Sequence, residues 1–240
     1  WHHRHKYLCL RDEGGVLVGL FKTEKVYATE GTFYPDADPE TSTVDGLVQN
    51  SGTTFTTVQG AASGNAAYDT FATPTSGETN LSGGVYYISR SIYLFSTSIG
   101  ANTVVSDATL SLYGADAGSE ANAGHSTSHI VSSSPTSNTS LVVGDYSQLG
   151  ATSFSNITYA SFLNGAYNIY SLDANGKNNI VNGISKFGVR VAGDLNITAP
   201  TGTNTIRFYH SDQTGTDKDP KLTVTYTIVI PSKQDVIWFD

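Results

Sequence analysis

Polar and apolar residues alternate one for one along several short stretches of this chain. Thr109-Leu110-Ser111-Leu112-Tyr113 and Leu222-Thr223-Val224-Thr225-Tyr226 change face with every residue, which is the period of a half-buried strand. The pattern predicts strands over Leu47–Val58, Gly84–Phe95, Val104–Tyr113, Ser128–Ser132, Tyr167–Leu172, Lys186–Ala192, Thr205–Tyr209 and Lys221–Ile230. All are rich in Val, Ile, Thr, Tyr and Phe, which suit a pleated surface. Turn signals such as Ser82-Gly83-Gly84, Asn164-Gly165 and Ala199-Pro200-Thr201-Gly202 fall between them. Helical turns are expected only near Val143–Leu149 and Asp173–Asn182, the second with Asp173 as N-cap. Many short strands without long alternating helices predict an all-β fold, a jelly-roll-like antiparallel β-sandwich.

The two ends depart from this texture. The expected division is an N-terminal arm over 1–31, a sandwich over 32–227 and a C-terminal strand or tail over 228–240. Val16, Leu17, Val18, Leu20 and Phe21 lie in the first arm, and Val236, Ile237, Trp238 and Phe239 in the last segment. Both arms look β-competent, and a single sandwich has little need of these apolar residues. The expectation is that the arms add a strand or an apolar anchor to a neighbouring subunit, which satisfies an exposed sheet edge. The alternative is extra strands of the same domain, or tails.

Composition sharpens the picture. Ser and Thr make up 57 of the 240 residues, whereas only 14% are charged, against about 25% in average chains. Coiled coils and helical bundles are therefore excluded, and 38% hydrophobic residues exclude a disordered chain. No apolar run approaches the ~18 residues of a membrane span, and no intact signal peptide is expected from the first residues. The formal net charge is −8. Residues 1–25 hold five basic and three acidic residues, leaving eight basic against eighteen acidic elsewhere, a net of −10. Between Val26 and Asp173 the sole basic residue is Arg90. Such a body would repel a phosphate backbone, so nucleic acid is not an expected partner. The single cysteine, Cys9, excludes an intrachain disulfide.

Three stretches carry a family resemblance. They are Ser89-Arg90-Ser91-Ile92-Tyr93-Leu94-Phe95-Ser96, the run from Ile99 through Ala108-Thr109-Leu110-Ser111-Leu112-Tyr113, and Phe208-Tyr209-His210-Ser211-Asp212 leading to Asp219-Pro220-Lys221-Leu222-Thr223-Val224-Thr225-Tyr226. In order and spacing, residues 32–227 resemble the DNRLRE-type domain, a β-sandwich module of secreted, cell-surface and phage structural proteins. The resemblance implies that fold and an extracellular setting, and it implies no ligand. The family often has Arg and Asp around the Phe of the first stretch. Here Leu94 and Ser96 flank Phe95, so no local salt bridge is expected there.

Motifs for enzymatic chemistry are missing. The chain has no Gly-x-Ser-x-Gly elbow, His-Glu-x-x-His or P-loop, and no Gly-x-Gly-x-x-Gly after a strand. Cys9 stands near His2, His3 and His5 without a framework to fix a catalytic pair. No enzyme is expected. The acidic turns Asp36, Asp38, Glu40, Asp45 and Asp212, Asp217, Asp219 are the candidate Ca²⁺ ligands, to be united if the terminal strands of the body pair; solvated turns are the alternative. No other cofactor is expected. His125 and His129 have helical metal-pair spacing but lie in loop or strand sequence. Tyr86, Tyr87, Tyr93, Tyr167 and Tyr170 are candidates to stack on glycans, or else to fill the core. Sequons stand at Asn80, Asn138, Asn156 and Asn196. The functional expectation is a non-enzymatic structural subunit of an extracellular assembly, a virion decoration, fibre or tail component or a microbial surface filament. Its partners would be copies of itself and other structural subunits. A carbohydrate-binding or adhesive module is the competing class.

Overall fold

A computed structural model describes the backbone of residues 6–11, 17–23, 28–70 and 75–228, and side chains over 28–70 and 77–228. The described chain is all-β and antiparallel, sandwich-like as the alternation predicts. In chain order the strands are β1 Lys6–Arg11, β2 Leu17–Thr23, β3 Ala28–Phe33, β4 Asp45–Gly52, β5 Ala66–Tyr68, β6 Thr75–Ser82, β7 Val85–Thr97, β8 Thr103–Glu120, β9 Ser128–Ser132, β10 Ser155–Ile157, β11 Tyr167–Ser171, β12 Gly183–Val191, β13 Asn204–Phe208 and β14 Lys221–Ile228. Short helices α1 Phe55–Gln59, α2 Ala174–Asn178 and α3 Ala192–Leu195 and a 3₁₀ turn at Val143–Ser147 interrupt them.

Two long strands organise the sheets. β8 pairs β14 over Thr103–Ser111 and β11 over Thr109–Tyr113, then continues against β13 over Gly114–Glu120. β14 also pairs β3, so one layer runs β11-β8-β14-β3. β7 pairs β4 on one edge, while β6 and β12 follow one another along the other. β9 and β10 extend from β12. The hairpin β1–β2 forms a separate two-stranded sheet.

Side-chain alternation along β7 feeds two cores. Tyr93 and Phe95 join Leu110, Leu112, Tyr170, Phe187, Phe208 and Leu222 in the main core. Ile88, Ile92 and Leu94 point the other way, onto Phe55 and Val58 of α1 and onto Leu141, Tyr146 and Leu149. A layer of loop and short helix therefore covers the outer face of this sheet, and β7 is buried on both sides. Each such fully buried side chain stabilises the fold by about 1.5–3 kcal/mol.

Several boundaries differ from the sequence reading, for physical reasons. The expected strand Leu47–Val58 ends at Gly52 and turns into α1, whose buried Phe55 and Val58 sit three apart on one helical face. β8 runs seven residues beyond Tyr113, through small residues that tolerate its register shifts; Gly118 has φ +60°. β3, β5, β6 and β10 had no alternation strong enough to announce them. β3 also crosses the expected boundary at 31/32, since Ala28–Gly31 pair with β14. The two expected helical turns are present, at Val143–Ser147 and in α2, where Asp173 caps the helix through a bond from the Gly176 N–H at 2.8 Å; α1 and α3 were not expected.

Candidate functional site

Two arrangements bring titratable groups together inside the described chain, and a third gathers aromatic rings at its surface. The first lies under the covering layer. Asp194, fully buried, accepts from Arg90 Nε and Nη2 at 2.8 and 2.7 Å and from Arg190 Nε and Nη2 at 2.7 and 2.9 Å. The remaining Arg90 donors go to the carbonyls of Tyr146 and Gln59, and Arg190 also donates to the Gly150 carbonyl. The Arg90 guanidinium lies over the Tyr146 ring, 4.0 Å from its centroid. Burial acts to raise the Asp194 carboxyl, but the two guanidiniums outweigh it and hold it below its usual value. Every guanidinium nitrogen has a protein acceptor, which suits a structural clamp rather than a reactive centre. Arg90 therefore finds its carboxylate far away in sequence, not beside Phe95.

The second arrangement joins the acidic turns. Pairing of β3 with β14 does bring them together: the Asp38 N–H donates to Asp212 Oδ1 at 2.7 Å, and Ser211 Oγ donates to the Asp36 carbonyl at 2.8 Å. Asp36, Asp45 and Asp219, however, are already committed to protein donors. Asp36 Oδ2 accepts from the backbone and hydroxyl groups of Thr41 and Ser42 and from the Thr43 N–H. Burial acts to raise Asp36, but these bonds prevail and hold it at about 2. Buried Asp45 accepts from the Ser211 N–H at 3.0 Å and from Ser211 Oγ, and it meets His210 Nδ1 at 3.2 Å. The imidazole stacks on Tyr93 at 5.1 Å. Asp219 accepts from Gln213 Nε2; Asp217 is exposed. Among the described residues no group of three or more His, Cys, Asp or Glu is arranged to hold a metal ion. The expected Ca²⁺ set of Asp36, Asp38, Glu40, Asp45, Asp212, Asp217 and Asp219 therefore does not form one such group, and turn and loop donors already use oxygens of Asp36, Asp45 and Asp219.

Glu40 and Asp212 are the exceptions. Glu40 Oε1 and Asp212 Oδ2 are buried without a hydrogen-bond partner. Burial pushes Glu40 up to about 7, and the charges of Asp212, Asp69 and Asp38 act in the same direction. Asp212 is raised chiefly by burial, with Asp45 adding to it. His125 and His129 do not pair: His129 Nδ1 bonds Ser153 Oγ at 2.9 Å, and burial lowers both imidazoles.

The third arrangement is an aromatic surface at one end of the β11-β8-β14-β3 layer. Tyr113 and Tyr167 are cross-strand neighbours in edge contact at 5.2 Å, and Tyr209 stands 5.9 Å from Tyr113. Lys218 Nζ lies 4.3 Å from the Tyr209 ring and Lys221 Nζ 3.9 Å from that of Tyr167. Tyr167 OH donates to the carbonyls of Asp217 and Asp219. Burial pushes this phenol up to about 12, with the Asp219 charge and Tyr34 contributing. Tyr34 is exposed.

Of the five tyrosines marked as glycan-facing, Tyr167 alone belongs to this surface. Tyr93 and Tyr170 are fully buried, Tyr170 bonding Ser128 Oγ at 2.6 Å, so neither can stack on a sugar. Tyr86 packs edge-on against Phe55, and Tyr87 is half-buried in β7. The alternation of β7 and β11 could have separated these faces. Tyr34, Tyr113 and Tyr209 were missed, since pairing of distant strands and not a local pattern brings them together. Arg190 and Asp194 were missed too, although charges four apart in an apolar run are a readable sign of a buried pair.

The arm residues Leu17, Val18, Leu20 and Phe21 fall in β2. Val16, Val236, Ile237, Trp238 and Phe239 lie outside the described residues. Among the described residues no helix is long and apolar enough to cross a membrane. A scan against protein-family models finds no match for this chain, and no curated protein matches it either.

Proposed function

We propose that this chain is a non-enzymatic structural subunit of an extracellular assembly, built from copies of itself and other structural subunits and joined through its terminal arms. The observation that carries the reading is the β1–β2 hairpin, which pairs with no strand of the main sheet among the described residues. A lone two-stranded hairpin is marginal in water, so this one gains stability by joining a partner. The resemblance of residues 32–227 to DNRLRE-type modules supports a virion surface, as decoration, fibre or tail component, or a microbial surface filament. Electron microscopy and light scattering on the full chain test it: ordered oligomers are expected, and a monomer at all concentrations overturns it.

A second reading, a carbohydrate-binding or adhesive module, is favoured by the surface of Tyr34, Tyr113, Tyr167 and Tyr209 with its two lysines. Flat rings stack on sugar faces, and the concentration of rings at one place is what such a site needs. A glycan array probed with the full chain separates the readings.

A further inference from the structure

β3 is the terminal strand of the main sheet. β14 pairs one of its edges, from Leu222↔Phe33 to Thr227↔Ala28, and among the described residues no strand pairs the other. Ala28, Thr29, Glu30 and Thr32 are exposed. An open edge of this kind is a row of unused N–H and C=O groups, which proteins usually shorten, charge with Lys, break with Pro or cover. The other ends of the sheet are managed in those ways: β5 and β10 have three residues each, and β11 packs beside β10. β3 has six residues and neither Pro nor Lys.

The hairpin that precedes it has the complementary need. Among the described residues β2 pairs only β1, so its second edge is open there as well. Four residues separate β2 from β3 in the sequence, and among the described residues β2 and β3 do not pair. Two copies can close the same ladder between them instead.

We propose that β3 is the acceptor edge for a second copy of this chain, which lays its β2 antiparallel along it, so that two copies exchange N-terminal hairpins. The inference rests on the arm-assembly reading and names its acceptor. Reciprocal exchange closes on a two-fold axis. It leaves β1 as the new outer strand, which begins at Lys6 and ends at Arg11 and so carries the charges that discourage further addition.

Three full-chain variants test this by light scattering: Leu20→Pro, which breaks the β2 ladder, and Thr29→Pro and Glu30→Pro in β3. Adjacent strand residues aim their N–H groups at opposite edges, so one of the two β3 variants removes an outward donor while sparing the β14 ladder. The expected result is a parent of twice the monomer mass, a monomeric Leu20→Pro, and a monomeric outward-facing β3 variant with the parent's melting temperature. Hydrogen exchange on the unmutated chain avoids any folding defect. The Thr29 and Glu30 amides should both be slow in the dimer, and one should speed up at least about tenfold on dilution. A monomeric Leu20→Pro beside a fully dimeric outward β3 variant overturns the acceptor and leaves the arm reading standing. A dimeric Leu20→Pro overturns the arm reading for this hairpin and the acceptor with it. A monomeric parent with both amides slow means that the hairpin closes on its own chain, which overturns the exchange.

Discussion

Arg90 and Asp194 are 104 residues apart in the chain and meet at 2.7 Å beneath the covering layer, where Arg190 closes on the same carboxylate. Two cations thus share one anion, and the consequences of removing them are unequal. Without the carboxylate, two buried guanidiniums lose their counter-charge. Without one arginine, Asp194 keeps the other.

Asp194→Ala is therefore expected to cost at least about 3–5 kcal/mol, the usual result of leaving a buried charge unpaired. Arg90→Met should cost clearly less, since its main damage is to leave the Tyr146 and Gln59 carbonyls without their donor. Urea unfolding midpoints of the two variants give the order. An Arg90→Met as damaging as Asp194→Ala would show that the cluster is not organised around the carboxylate.

The acidic junction predicts a stability that depends on pH in both directions. Glu40 in the folded chain titrates near 7, above its ordinary 4.5. Between those values the folded state holds a proton that the unfolded state releases, so stability is full below 4.5 and fades as pH rises through 7. Asp36 behaves oppositely: held at about 2 against an ordinary 3.8, it contributes fully above 3.8 and is lost as pH falls through 2. Thermal melting from acid to mildly alkaline pH checks both. Glu40→Gln should flatten the fall between 4.5 and 7, leaving what the raised Asp212 and Asp219 contribute in the same sense. Asp36→Asn should flatten the acid limb.

Much of this fold was legible because alternation is a local signal. β9 matched its expected bounds, and β7, β11, β13 and β14 were placed within two residues, each with a buried face written into its period. What escaped depends on contacts that no local pattern encodes. β6 reads Thr-Ser-Gly-Glu-Thr-Asn-Leu-Ser and is a strand because β7 and β13 flank it. The covering layer was invisible for the same reason, and with it the burial of both faces of β7. The acidic turns over 36–45 and 212–219 were expected to approach one another, and they do meet. That Thr41 and Ser42 consume the Asp36 carboxylate follows only from how the turn closes.

The contact between β12 and the covering layer gives a sharper packing test. A Cβ on Gly188 would stand 2.6 Å from Leu149 Cδ2 and 3.1 Å from the Ser91 carbonyl oxygen. Gly188→Ala should destabilise by about 1–3 kcal/mol, since the covering layer must lift to admit it. Gly144 has open space around it and no left-handed φ, so Gly144→Ala should be neutral or stabilise by up to about 1 kcal/mol through the unfolded chain. Calorimetric melting of both variants reads the contrast, and equal effects would show that the layer is loosely seated.

The aromatic surface makes the carbohydrate reading testable at the level of single rings. Tyr113 is the centre of the group, touching Tyr167 and Tyr209, and Lys218 reaches both Tyr113 and Tyr209. If a glycan stacks here, Tyr113→Ala together with Tyr209→Ala should weaken its binding at least about tenfold, equivalent to about 1.4 kcal/mol. Tyr86→Ala should leave it unchanged, because that ring serves the second core. Lys218→Gln then reports what the cation recognises: a loss confined to carboxylated or sulfated sugars marks a charge contact, and a loss across neutral sugars marks a ring held in place by its ammonium. Titration calorimetry with the best array ligand measures all three variants. Equal affinity across them would place any glycan contact elsewhere on the chain, and leave these tyrosines to the edge contacts they make with one another.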